Sequence, residues 1–239
     1  MTIFQSIILG IIQGVGEFLP ISSSGHLELY KYFFNVKDSP FIFDIFLHVA
    51  TLLSLCLVFR KKIASLILST LRFIFRKNST ADKENLNFVA LILISTLITA
   101  IVGFALKDLT KNLSIKAIPI GLIITSTMLL ISSKAHLKEK PNIIRTALIL
   151  GVVQGISVFP GISRSGMTIS ILLMLGFLNE EVAETSFILS IPAILGALVL
   201  ELHSSVAIHL EYIPVIVGML TAFIVGFFAL SLLINLLKS

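Results

Sequence analysis

Two short polar stretches in an otherwise apolar chain carry the residues able to do chemistry. The first, Gly10 to His26 (GIIQGVGEFLPISSSGH), sets Gln13, Glu17, Ser22, Ser23, Ser24 and His26 among apolar neighbours. The second, Phe159 to Thr168 (FPGISRSGMT), surrounds Arg164 with Ser163, Ser165, Gly166 and Thr168. A carboxylate at mid-bilayer depth costs about 2.5–3.5 kcal/mol on insertion scales, so an acid placed beside an imidazole there marks a functional site. The second stretch suits a phosphate. A guanidinium offers a planar fork of donors, and hydroxyls and glycine-lined backbone amides add more. A serine with an imidazole three residues away has the makings of an activated nucleophile. Glu17 and Gln13, four residues apart on one helical face, are the candidate ligands for a hard divalent cation, Mg2+ or Ca2+. Each residue also has a structural reading: serines can bond their own helix, and Arg164 can serve as counter-ion to Glu17.

Positioning these groups falls to membrane helices. Of 239 residues, 56% are hydrophobic and only 13% charged, with a mean hydropathy of +1.04. Those values place the chain among all-α polytopic membrane proteins. The net charge of +5 comes from lysines and arginines gathered between apolar runs, which is membrane topology and contact with lipids; no basic solvated domain for nucleic acid is present. Cys56, the single cysteine, excludes an internal disulfide. No secretory leader is legible, so Met1 is read as the start of the mature sequence.

Ile3–Val15 and Leu27–Phe34 are too short to span and flank a Pro/Ser/Gly loop, the pattern of a re-entrant hairpin. Ile143–Val158 and Met167–Leu178 form a second such pair. Full spans are expected at Phe41–Phe59, Leu86–Leu106, Ala117–Ser133, Ser186–Leu202 and Tyr212–Leu237, about five in all. An interfacial amphipathic helix is expected over Ile63–Phe75. Asp44 and His48, one helical turn apart, are candidates to line the site.

Gly10–Leu29 aligns without a gap on Gly151–Ser170, and eight of twenty positions are identical. This is an internal repeat. Three spans between the hairpins make it inverted, with halves at 1–133 and 143–239 inside a single membrane domain, 1–239. Lys and Arg number twelve on the side of 60–85, 134–145 and 238, against five at 31–37 and 107–116. The richer side is cytoplasmic by the positive-inside rule, which puts the entrance of the first hairpin on the outer face.

The chain resembles the bacterial undecaprenyl-diphosphate phosphatases, the bacitracin-resistance family. The resemblance rests on QGVGEFLPISSSGH and FPGISRSGMT, with weaker support from FLHVATLL and SFILSIPAILGA. It implies hydrolysis of the C55 isoprenyl diphosphate to monophosphate and inorganic phosphate, a divalent cation, the bacterial plasma membrane, a tendency to dimerise and two re-entrant hairpins. It also implies site roles for Gln13, Glu17, Ser23 and His26, and for Ser163, Arg164, Ser165 and Thr168, with Ser22, Ser24, Gly25 and Gly166 lining the phosphate. Ser23 as nucleophile with His26 handling its proton, and His26 as nucleophile with Ser23 as phosphate ligand, both stand at this stage. Two departures from the family pattern are evident: Gln13 in place of the commoner Glu, and one fewer span after the second hairpin. A lipid flippase or transporter is the rival class, since inverted repeats with broken helices also build transporters.

Overall fold

The computed structural model describes residues 1–36, 41–77, 79–111, 113–134, 142–204 and 212–238. Ten α-helices follow in chain order among them: α1 (Ile3–Phe18), α2 (Ser23–Phe33), α3 (Phe41–Val58), α4 (Arg60–Ile74), α5 (Lys83–Lys111), α6 (Ala117–Ser132), α7 (Ile143–Ile156), α8 (Arg164–Met174), α9 (Asn179–Ser204) and α10 (Tyr212–Lys238). There is no strand among the described residues. The basic loop at 135–141, used in counting charges, lies outside them.

Both helix pairs form; the arms of the first are longer than the hydropathy pattern marks, while those of the second, α7 and α8, end earlier than expected, at Ile156 and Met174. α1 runs through Glu17 and Phe18 instead of stopping at Val15, and α2 starts at Ser23 instead of Leu27. The reason is capping: Ser22 Oγ accepts from the Gly25 amide and Ser163 Oγ from the Gly166 amide, so each loop serine satisfies a first-turn donor and starts a helix at the next residue.

α5, α9 and α10 are long and apolar enough to cross a bilayer, and α3 with α4 forms a pair bent by 81°. Among the described residues that gives three spans, or four if the bent pair is counted as one, where about five were expected. The shortfall lies in α6, whose 16 residues rise only about 24 Å at 1.5 Å each, and in α3, whose 18 rise about 27 Å, both short of a hydrocarbon core of about 30 Å.

The repeated glycines explain the helix pairing. Gly10 and Gly14 seat α1 on α10, where an added Cβ would lie 2.6 Å from the Gly218 carbonyl oxygen and 2.8 Å from the Gly226 nitrogen. Their counterparts Gly151 and Gly155 seat α7 on α5, where a Cβ would lie 2.6 Å from Cβ of Ile98 and of Val102. Spacing by four puts both glycines of each pair on one face, the small-residue route to close packing between apolar helices. Hydroxyls then cross-bond the backbones. Ser54 donates to the Phe223 carbonyl at 2.7 Å and Ser95 to that of Ala147 at 2.9 Å.

The two hairpins meet tip to tip by exchanged contacts. Gly25 lies against Gly161, while Gly166 lies against Pro20; positions 20 and 25 correspond to 161 and 166 in the repeat. Gly161 has φ +89°, and a Cβ there would run into the Ile118 carbonyl oxygen, so only glycine closes this turn. Below the tips Phe18 and Phe187 pack edge to face, with ring centroids 5.5 Å apart, inside a core that includes Leu150, Leu172 and Leu230.

Candidate active site

Glu17 is the point on which both hairpins converge. It is the last acid of α1, 6% exposed, and its two oxygens are divided between the halves of the chain. Oε1 is paired with Nη2 of Arg164, the first residue of α8. Oε2 accepts from Ser23 Oγ at 3.0 Å and from Gln13 Nε2 at 3.0 Å. Ser23 and Arg164 occupy matching positions in the repeat, so one tip turns a hydroxyl and the other a guanidinium to a single carboxylate. A buried charge is tolerable only when paired and hydrogen-bonded, and Glu17 is both.

The flanking serines repeat this symmetry. Ser22 and Ser24 approach to 3.5 Å, and Ser163 and Ser165 to 3.2 Å. Thr125 on α6 accepts from the Ser163 amide at 2.9 Å, and Thr168 meets Ser186 of α9 at 2.6 Å. Thr168 therefore braces α8 against α9 behind the cavity. Ser22 sits at φ 66°, a left-handed conformation that costs a non-glycine residue about 1–3 kcal/mol and occurs where surrounding structure enforces it.

The imidazole that reaches Glu17 is His48. Its Nε2 lies 3.6 Å from Glu17 Oε2, and its Nδ1 bonds the Asp44 carbonyl at 2.8 Å. The ring is thus held from the α3 backbone, one turn back. His26 is placed differently: its Nδ1 donates to the Ser22 carbonyl at 2.9 Å, so the ring ties down the strained residue beside Ser23. That bond fixes the hydrogen on Nδ1 and leaves Nε2 with a lone pair in the neutral ring. The Ser23 hydroxyl points to Glu17 and not to His26. Sequence spacing brings His26 close in number, but it lies a turn along α2 from Ser23.

A cavity of about 500 Å³ opens over these groups. Glu17, Ser23, His48 and Arg164 line its polar end, with Ser22, Ser24, Ser163 and Ser165; Ala193, Ile194, Ala197 and Leu198 of α9 line an apolar wall. Asp44, also on the lining, is paired with Lys31 of α2. Thr99 and Gln154 were not foreseen as lining residues. Thr99 donates to the Gly151 carbonyl and accepts from Gln154 Nε2 at 3.1 Å, just as Gln13 Nε2 reaches Thr51 at 3.3 Å. The matched glutamines in the repeat were the available signal.

Gln13 and Glu17 do not fit a divalent cation in this arrangement. A hard cation needs several oxygens aimed at one point. Gln13 instead turns its amide nitrogen to Glu17 and leaves Oε1 buried without a partner, and the Arg164 guanidinium already balances the carboxylate. No cluster of three or more His, Cys, Asp or Glu is present among the described residues.

Fold and site together define a multi-pass helical membrane protein with a buried serine, carboxylate and guanidinium constellation at the meeting point of two hairpins, open to an apolar cleft. The chain belongs to the bacitracin resistance protein BacA family, whose pattern residues 6–239 match. It is 50% identical to the undecaprenyl-diphosphatase of Treponema denticola, the alignment taking in 100% of this chain and 90% of the relative. It is 40% identical to that of Borrelia recurrentis, over 99% and 91% of the two chains. With that of Korarchaeum cryptofilum it shares 40% identity over 100% and 92%.

Proposed function

We propose that this protein hydrolyses undecaprenyl diphosphate to undecaprenyl phosphate and inorganic phosphate, recycling the lipid carrier of cell-wall synthesis and conferring bacitracin resistance. One observation carries the reading: Ser23 and Arg164, from opposite halves of the chain, share the carboxylate of Glu17 at the polar end of a cavity whose other wall is apolar. That is a place for a diphosphate with a long hydrocarbon tail.

Each group then has a task in the proposed reaction. The terminal phosphoryl group competes with Glu17 for the Arg164 fork, which then stabilises the equatorial oxygens as charge develops on them. Released from its ion pair, Glu17 accepts the Ser23 hydroxyl proton. Ser23 Oγ bonds to the terminal phosphorus, the bond from that phosphorus to the bridging oxygen breaks, and undecaprenyl phosphate leaves. Water then attacks the phosphoserine and frees inorganic phosphate. His48 stands next to Glu17 to receive or return the proton. His26 and the serine pairs hold the two tips, with Gly25 and Gly166 bringing the backbones close enough for both to reach one phosphate. A divalent cation, if one arrived with the diphosphate, would supply Lewis acidity, and Gln13 and Glu17 would not hold it in this arrangement. The membrane is the bacterial plasma membrane, and access to the site from the outer face is the reading that the excess of Lys and Arg in the opposite loops supports.

Phosphate release from C55 diphosphate by purified protein in detergent, beside Ser23→Ala, tests this. Release by wild type and its loss in the variant are expected. Binding or translocation of the lipid by well-folded wild type with no release would favour the flippase.

A further inference from the structure

The elbow between α3 and α4 carries a second, separate concentration of charge. We propose that it is a binding site for the phosphate headgroup of an anionic phospholipid. α4 leaves α3 at 81°, so an α3 that crosses the bilayer directs α4 along its surface. Arg60, Lys61 and Lys62 follow one another at the corner, and with Val58, Phe59 and Glu184 they enclose a cavity of about 370 Å³, distinct from the catalytic one.

Among the described residues the charges there are not balanced. Lys62 is matched, at 2.8 Å from Glu184 of α9 and 5.1 Å above the Phe88 ring. Arg60 spends one nitrogen on the Leu57 carbonyl at 3.0 Å, and among the described residues neither it nor Lys61 has a carboxylate partner. Two cations at the mouth of a small cavity call for an anion, and a guanidinium beside an ammonium suits a phosphodiester.

The rest of α4 says that the anion comes with acyl chains. Ile67, Leu68, Leu71, Ile74 and Phe75 form one exposed stripe, from 44% to 69% accessible, while Leu66 and Ser69 are buried on the opposite side. This orientation is locked. Asp82 accepts from Ser69 at 2.8 Å and from Arg72 at 3.2 Å, and Asn85 donates to Ser69 at 3.0 Å, so α4 cannot roll its apolar stripe away from lipid. An apolar face edged by cations, held parallel to the surface, is how a helix lies at an anionic interface. Charge complementarity thus selects an anionic phospholipid over a zwitterionic one, independently of the reaction proposed above.

The test is lipid retention by the full chain in nanodiscs, read by native mass spectrometry, with phosphatidylcholine alone or mixed with phosphatidylglycerol. Wild type is expected to retain phosphatidylglycerol over phosphatidylcholine, and Arg60→Gln/Lys61→Gln to lose on the order of 10-fold of that preference. Lys61→Gln alone, expected to lose a smaller part, serves if the double variant fails to fold. Lys107→Gln, at the other end of the chain's charge map, should keep the wild-type preference, and phosphate release in phosphatidylcholine discs should be unchanged by the elbow variants. Equal retention of both lipids by wild type, or undiminished preference in folded elbow variants, would overturn the proposal. So would displacement of phosphatidylglycerol by millimolar inorganic phosphate, which would make the elbow a site for the free anion.

Discussion

The two hairpins share a frame and differ in what they place on it. In each, a serine caps the helix after the turn, a second serine stands two residues on, and a glutamine one helical arm earlier bonds a threonine of a neighbouring helix. Between the serines one hairpin has Ser23 and the other Arg164; at the acid's position one has Glu17 and the other Val158; where one has His26 the other has Met167. On the proposed function, the differences at these three matched positions make one tip the reactive one and the other the anion clamp. Among the described residues, the partner common to Ser23 and Arg164 is the carboxylate of Glu17, so the proposed site needs both hairpins.

Exchanging the differing positions should therefore cost most. Ser23→Ala and Arg164→Lys are each expected to lower kcat by about 10²–10³-fold or more, since neither a methyl nor a single ammonium reproduces the lost group. Steady-state phosphate release measures both, and near-normal turnover of either would remove that hairpin from the chemistry. Gly161→Ala strikes the frame itself. With φ +89° and the Ile118 carbonyl in the way, it should cost about 2–3 kcal/mol or prevent folding, read by thermal unfolding in detergent; Gly196→Ala, with open space around the new Cβ, should leave stability unchanged or slightly raised.

Smaller effects separate the glutamines and the histidine. Gln13→Ala removes a donor from buried Glu17 and is expected to cost about 1–3 kcal/mol in transition-state stabilisation, while Gln154→Ala, whose partner among the described residues is Thr99, should cost less in kcat/KM. Equal losses would mean that the glutamines serve the frame alone. His48→Ala should reduce kcat by about 10-fold, below the 10²–10⁴-fold worth of a group that takes the proton directly.

Much of this was legible in the chain. Short arms around Pro/Ser/Gly loops announced the hairpins, and the gapless repeat announced that they would face one another. The pairing of Glu17 with Arg164 stood in the sequence as the lesser of two readings of Arg164, beside phosphate binding, because neither charge is stable at membrane depth alone. What stayed hidden depended on tertiary geometry. His26, three residues from Ser23, looked like its base, yet helical rotation directs its ring to the Ser22 carbonyl, and His48 arrives at Glu17 from a different helix. The sharp turn after Val58 was legible as a span stopped by a basic triplet with an amphipathic helix beyond it, and the bounds of α6 were legible too, but a run of that length reads as a full span.

The division of labour is tested most directly by quenching the enzyme during turnover of undecaprenyl diphosphate and locating the trapped phosphoryl group by peptide mass spectrometry. The account predicts an acid-stable phosphoester on Ser23. An acid-labile phosphoryl group on His26, or no covalent species under conditions that trap one in a control phosphatase, would contradict it.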